Sequence, residues 1–450
     1  MNNTELRGAF SLATVYVLRM LGLFMVMPVL AVLAVSYPDY SPLLVGLAIG
    51  GYGLTQALLQ IPMGLLSDRL GRKPVIVLGL SCFALGSLVA AQAETLQWVV
   101  IGRILQGAGA VAGAVMALAG DISRENQRPK VMAIIGIAIG FSFYLALLLG
   151  PLLAEKFGLP GVFWFTAVAA IACIPLVLFV VPSAQNLSPS GDTLPKLSDV
   201  GSLLADKSLL RLNVSVALLH LLMTLMFVNL PKRLLELDWP LEDHWMLYLP
   251  VLLLSVLAMA VLMRFGKQGK QGRVINLSIV LLGVSLAAMA WLQAPLVALL
   301  LFCWLFFTGF NYLEANLPAM VSSLAPAGKK GSAMGAYASF QFFGAFVGGA
   351  LSGLLNQYAN EQFSYMLAAL LCLGWLGLIR GIGGGSIHLK RYSLSLNSEA
   401  MSVQDSLALV SRMAGVRDIT LVEAEQVLYL KVDSREFNLQ QARQQLGIIS

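Results

Sequence analysis

Residues 64–73 read Gly64-Leu65-Leu66-Ser67-Asp68-Arg69-Leu70-Gly71-Arg72-Lys73, one carboxylate beside three cations. An apolar run over about 43–66 leads into this stretch, and another over about 74–93 leads out of it. Each run is long enough to cross a bilayer, which takes roughly 20 apolar residues. A short charged connector between two such runs reads as a loop at a membrane surface.

The same alternation continues in both directions. Further runs fall at about 10–35, 95–119, 131–155, 160–182, 210–231, 243–265, 273–292, 295–322, 331–357 and 362–382, making twelve expected spans. The first is too long for a secretory signal ending at Ala34-Val35-Ser36, and Arg19 interrupts it, so it is expected to remain as a helix. Of 450 residues, 58% are hydrophobic and 12% charged, against about 25% charged in a soluble domain. That excludes a water-soluble globule and a disordered chain. Cys82, Cys173, Cys303 and Cys372 all lie in apolar stretches without CxxC spacing, so they read as core residues rather than disulfides or metal ligands. The excess of 29 Lys+Arg over 23 Asp+Glu does not indicate a nucleic-acid partner, because these charges sit in the connectors.

The connectors also set the topology. One side of the expected membrane holds Arg7, Arg69, Arg72, Lys73, Arg124, Arg128, Lys130, Lys196, Lys207, Arg211, Arg264, Lys267, Lys270, Arg273, Lys329 and Lys330; the other holds Lys156, Lys232 and Arg233. Positive residues stay inside, so both termini are expected in the cytoplasm. Residues 183–209 form the longest internal connection and divide the spans into six and six, 1–182 and 210–382. Lys130, Gly136, Gly140, Gly150 and Ala154 recur 199 positions later as Lys329, Gly335, Ser339, Gly349 and Gly353. Two parallel six-helix repeats with a site near the midplane follow from that register. Gly46, Gly50 and Gly53, and likewise Gly344, Gly348, Gly349, Ser352 and Gly353, form small-residue faces for close helix packing, whether generic or functional.

Past residue 382 the pattern changes. Gly383-Gly384-Gly385 reads as a joint. Residues 387–396 read as a strand, 399–414 as a helix, 416–422 and 427–432 as strands, and 435–446 as a helix. This βαββα order over 386–450 is most of a small ferredoxin-like fold, with a last strand short or missing at 447–450. Ser395-Leu396-Asn397-Ser398 lacks a Cys pair, so no metal is expected there.

The opening stretch fits G-x-L-x-D-R-x-G-R-[RK] at every specified position, between the second and third spans, and closely resembles the signature of the major facilitator superfamily. Arg103 with Gln106-Gly107-Ala108-Gly109-Ala110 resembles that family's motif in span four. Gly150-Pro151 resembles its antiporter motif, with Ala146 and Ala154 replacing two glycines. Leu18-Arg19-Met20-Leu21-Gly22 through Leu30, Gly331-Ser332-Ala333-Met334-Gly335 and the small C-terminal domain are most like the bacterial YajR group of that family. The resemblance covers about residues 8–382; the second half keeps only a cationic counterpart of the loop, Arg264 to Arg273. It implies an all-α membrane protein of twelve helices in two bundles, with a ferredoxin-like α+β domain appended. It also implies a conformational latch of Gly64, Asp68, Arg69, Gly71, Arg72, Lys73 and Asp121. Asp68 would face the amino end of span eleven near Gly331, Arg72 would pair with Asp121, and Gly64 would let the helices touch. The latch would favour the outward-open state.

Away from their ends, the spans carry Arg19, Arg103, His220 and Glu314 as ionisable residues. Each is costly in lipid, roughly 2.5–3.5 kcal/mol for Arg at a span centre, and so is expected to face a cavity or a partner. His220 and Glu314 are the leading candidates for proton coupling, with Arg19 and Arg103 beside them. The other reading of His220 is an interhelical hydrogen bond. Arg103 is expected to order a neighbouring site, and Glu314 is a partner open to Arg19. Met20, Met25, Met27, Met116, Met223, Met226 and Met320 lie on spans one, four, seven and ten, which the resemblance places around an apolar cavity. The leading expectation is a proton-coupled exporter of small hydrophobic or amphipathic molecules in a bacterial inner membrane. It is driven by the proton gradient, with no cofactor or metal, and its partners are substrate, protons and lipid. A nutrient symporter and a membrane sensor with a C-terminal output domain are the alternatives. No span carries a nucleophile–base pair or metal cluster, so no enzyme is expected. The C-terminal domain has three open roles: binding a ligand, binding a second copy, or bracing the loop around Lys196–Arg211.

Overall fold

The computed structural model describes the chain apart from residues 125–126, 184–196, 267–269, 292–294, 327–328, 381–388, 396–402, 423–426, 434 and 447–450. The Gly383–Gly385 joint, much of the connection before residue 197 and the possible last strand lie outside the described residues.

Among the described residues, eleven helical segments are long and apolar enough to cross a membrane. Local chemistry starts and stops them. Helix α1 (Asn3–Phe24) opens on a capping box between Asn2 and Glu5, and α2 (Val26–Leu33) continues it. Ser41 caps α3 (Pro42–Leu70), whose first residue is proline. Gly71, at φ 92°, ends α3 and starts α4 (Arg72–Ala91), a backbone angle that favours glycine. The span expected at 95–119 is broken around Gly109 into α5 (Leu96–Ala108) and α6 (Ala112–Asp121). Asp39 caps α5 from a distance by accepting the Leu96 and Gln97 N–H groups at 2.6 and 3.0 Å.

The longest apolar segment, Lys130–Val180, runs for 51 residues and takes in most of α7 (Arg128–Pro175). It breaks at Gly158 (φ 65°, ψ −173°), between the two spans expected at 131–155 and 160–182. Within the connection 183–209 lies one short helix, α8 (Leu197–Ala205). Asp206 then caps α9 (Lys207–Glu236), followed by α10 (His244–Phe265), α11 (Gln271–Trp291), α12 (Leu296–Leu324), α13 (Lys330–Tyr358) and α14 (Glu361–Leu378).

Helices up to α7 pack on one another, as do those from α9 onward, and α3 against α13 is the most extensive junction between the groups. There the backbones touch. A Cβ on Gly50 would meet the Phe346 carbonyl oxygen at 2.8 Å, and one on Gly349 would meet the Gly50 nitrogen at 2.9 Å. Without a hydrophobic drive between lipid-embedded helices, such close approach through small residues is what holds them. The contact pairs Gly46 with Gly353 and Gly50 with Gly349, all near one end of the bundle. We call this the far end and the end carrying Asp68 the motif end.

The C-terminal unit is a three-stranded antiparallel sheet in the order β1-β3-β2, from β1 (Leu389–Ser395), β2 (Val416–Val422) and β3 (Val427–Asp433). With α15 (Val403–Ser411) and α16 (Leu439–Gln445) it follows the expected order. Leu428, Leu430 and Val432 face its core with Val410 and Ala442, as period two requires. On the other face of β3, Lys431 Nζ donates to the Leu324 carbonyl at 3.0 Å at the end of α12. A cation on the carboxyl end of a helix is favourable. That bond ties the unit to the end of α12.

Candidate functional site

Near the middle of the bundle, a cavity of about 350 Å³ is lined from both groups of helices. Its walls are mostly apolar, among them Met20, Phe24, Ile49, Met223, Phe310 and Phe342. Toward the far end an aromatic plug spans the groups, with Phe143 of α7 at 6.1 Å from Phe227 of α9 and 6.4 Å from Phe307 of α12.

His220 of α9 and Glu314 of α12 both line the cavity, as expected of the coupling candidates, with His220 Nε2 3.8 Å from Glu314 Oε2. That gap is too long for a hydrogen bond. Gln341 of α13 bridges them, its Nε2 lying 2.8 Å from His220 Nε2 and donating to Glu314 Oε1 at 3.2 Å. With the Gln341 amide nitrogen on this side, His220 Nε2 is the acceptor, which leaves Nδ1, 3.3 Å from the Val216 carbonyl, to carry the ring proton. His220 is thus both cavity-lining and interhelical. Gln341 was missed from sequence; its signal was a lone amide between Phe340 and Phe342 in an apolar span.

Arg19 does not pair with Glu314. Its Nη2 donates to Tyr52 Oη at 2.8 Å and Gln56 Oε1 at 2.5 Å, within the first half. How the helices are rotated decides this, and sequence does not fix rotation. Arg103 is fully buried and donates to Ala48 O at 3.1 Å and Gln106 Oε1 at 2.7 Å, with its guanidinium 5.2 Å from the Tyr52 ring centre. Tyr52 in turn lines the cavity, so Arg103 touches the cavity wall through that ring. Of the methionines, Met20, Met27 and Met223 line the cavity. Met25, Met226 and Met320 are instead buried in helix packing. Gly150 packs on span one, where a Cβ would meet the Met25 carbonyl oxygen at 2.7 Å, and Pro151 follows inside α7.

At the motif end Arg72 is a hub. It donates to Asp68 Oδ1 at 2.7 Å, Asp121 Oδ2 at 3.1 Å and Ser67 Oγ at 3.1 Å. Lys73 Nζ donates to the Val181 carbonyl at 2.6 Å. Arg69 is exposed, and Gly64 is buried in α3. Asp68 does not face Gly331 here. Among the described residues its partner is Arg72, and its side chain is 34% exposed. The carboxylate at the amino end of α13 is Asp199 of α8, 3.1 Å from Lys329 Nζ and accepting from Ser332 Oγ at 3.3 Å. The glycine approaches of α3 to α13 run from Gly46 on Gly353 to Gly53 on Phe342.

Comparison with known proteins gives a consistent family. The profile described as Major Facilitator Superfamily matches residues 12–349. The inner membrane transport protein YajR of Escherichia coli K12 is 37% identical over 449 residues, covering 98% of each chain. A multidrug resistance protein, MdtL of Escherichia coli, is 34% identical over 135 residues, 30% of this chain and 34% of that one. The crystal structure of a D-xylose–proton symporter superposes with a TM-score of 0.68 at 13% identity, covering 85% of this chain and 99% of that one, a likeness of fold.

Proposed function

This chain belongs to the major facilitator superfamily, and we propose that it is a proton-coupled secondary transporter exporting small hydrophobic or amphipathic molecules by alternating access. The carrying observation is the midplane cavity, apolar in most of its lining and holding His220, Gln341 and Glu314 together. Ionisable groups at such depth mark ion pathways, and one proton crossing 100 mV gains about 2.3 kcal/mol. The partial match to a multidrug resistance protein supports export.

In this reading the chain crosses the membrane twelve times, with the break at Gly158 as the turn between spans five and six. Residues 1–182 and 210–382 are the rocking halves, 183–209 the linker and 386–450 a ferredoxin-like domain. Both termini and the lysine- and arginine-rich motif end face the cytoplasm. The present conformation is then open to the cytoplasm, with the α3–α13 junction closing the other side. When the motif end closes, Asp68 reaches the amino end of α13, Gly64 allows the approach and Arg72–Asp121 braces the loop. This is the latch that favours the outward-open state.

The test starts from a thermal-shift screen of the purified protein against amphipathic compounds at two pH values. A hit is then followed in proteoliposomes under an imposed pH gradient. Gradient-driven movement should fall at least about tenfold, or about 1.4 kcal/mol, when Glu314→Gln and His220→Gln are combined. Movement as fast as in the unaltered protein would overturn the coupling.

A further inference from the structure

The α3–α13 junction has a register. Gly46 lies against Gly353 and Gly50 against Gly349, so each step along α3 toward the motif end is matched by an equal step back along α13. Carried onward, this register sets Gly64 opposite Gly335 and Asp68 opposite Gly331, in the first turn of α13. That turn concentrates the positive end of the helix dipole, and Lys329 adds a cation. It is a favourable seat for one carboxylate.

The seat is occupied, but not by Asp68. Asp199 fills it from the linker helix, bound to Lys329 and Ser332, while Lys329 Nζ also donates to Ser202 Oγ at 3.5 Å. Asp68 meanwhile turns to Arg72 on its own side. Two carboxylates crowded onto one helix end would repel each other, and α8 packs against α13 where α3 would have to arrive.

We propose that the amino end of α13 is a single carboxylate seat used alternately by Asp199 and Asp68. The linker helix α8 thereby acts as a counter-latch. It holds the motif end open while Asp199 is seated and must lift off before Asp68 can close that end. The linker is a timed competitor in the cycle rather than a passive tether. This rests on the latch reading of Asp68 for its second state.

The test uses the full chain in sealed vesicles, without native cysteines, with one cysteine introduced at the cavity position Ala338. Labelling by an impermeant maleimide is measured from each side. Asp199→Asn should lower motif-end labelling relative to far-end labelling by at least about threefold; Asp68→Asn should shift the ratio the other way; Asp199→Glu should restore it. A shift with Asp68→Asn but none with Asp199→Asn overturns the exchange and leaves the latch standing. No shift with either overturns both. As a check independent of charge removal, cysteines replacing Asp199 and Lys329 are joined by a short thiol cross-linker. Far-end labelling should then fall to background and return on reduction; persistent far-end labelling in the joined protein overturns the proposal.

Discussion

The side-chain amide of Gln341 stands 2.8 Å from Nε2 of His220 and fixes that nitrogen as an acceptor. Because the amide also reaches Glu314, a residue of α13 reads the state of groups on α9 and α12. The same helix carries the far-end glycine junction and, at its start, the carboxylate seat. A change at the cavity is therefore mechanically continuous with both ends of the bundle.

Gln341→Leu removes that donor while keeping an apolar side chain of similar bulk. The His220 ring should lose its preference for the Nδ1–H form, seen as mixed tautomers in ¹⁵N spectra of a histidine-labelled sample with only 3 histidines to assign. Stability should fall by about 1 kcal/mol, the usual net worth of one such bond.

Gly50→Leu forces a side chain into the Phe346 carbonyl, 2.8 Å from where its Cβ would lie. The far-end junction should spread, at a cost of about 1–3 kcal/mol for overpacking. Labelling of a cysteine placed at the cavity position Ala345 should become faster from the far end.

Arg72→Lys keeps the charge but not the fork that reaches Asp68, Asp121 and Ser67 together. Loss of a charged hydrogen bond to nearly buried Asp121 should cost about 2 kcal/mol, measurable as a lower midpoint of thermal unfolding in detergent. Arg69→Lys, at an exposed position, should leave the midpoint unchanged.

In the C-terminal unit, Arg435 clasps Asp433 at 2.7 and 3.0 Å. The guanidinium hydrogen bond, helped by the Arg435 backbone N–H, holds the Asp433 carboxyl well below the usual carboxylate range. A lowered folded value means the stabilisation is present above the ordinary range, near 3.8, and is lost as pH falls below it. The protection of the Leu428 and Leu430 amides from exchange, taken relative to the intrinsic rate at each pH, should therefore fall on acidification below that range. Arg435→Ala should lower this protection already at neutral pH and flatten the acid dependence.

Sequence alone determined the features that depend on one dimension. Span positions follow from apolar length, and the strand and helix order after residue 386 from local periodicity. The Gly64–Lys73 stretch identified the family because its charges are fixed by spacing along one chain. The tertiary structure decided everything that depends on how helices rotate and slide against one another. Only there does Arg19 turn to Tyr52 and Gln56 rather than Glu314, Gln341 come between His220 and Glu314, and Asp199 take the place expected of Asp68. A change in how the helices rotate or slide exchanges such partners without altering the hydrophobicity of any span, so no reading along the chain could have told them apart.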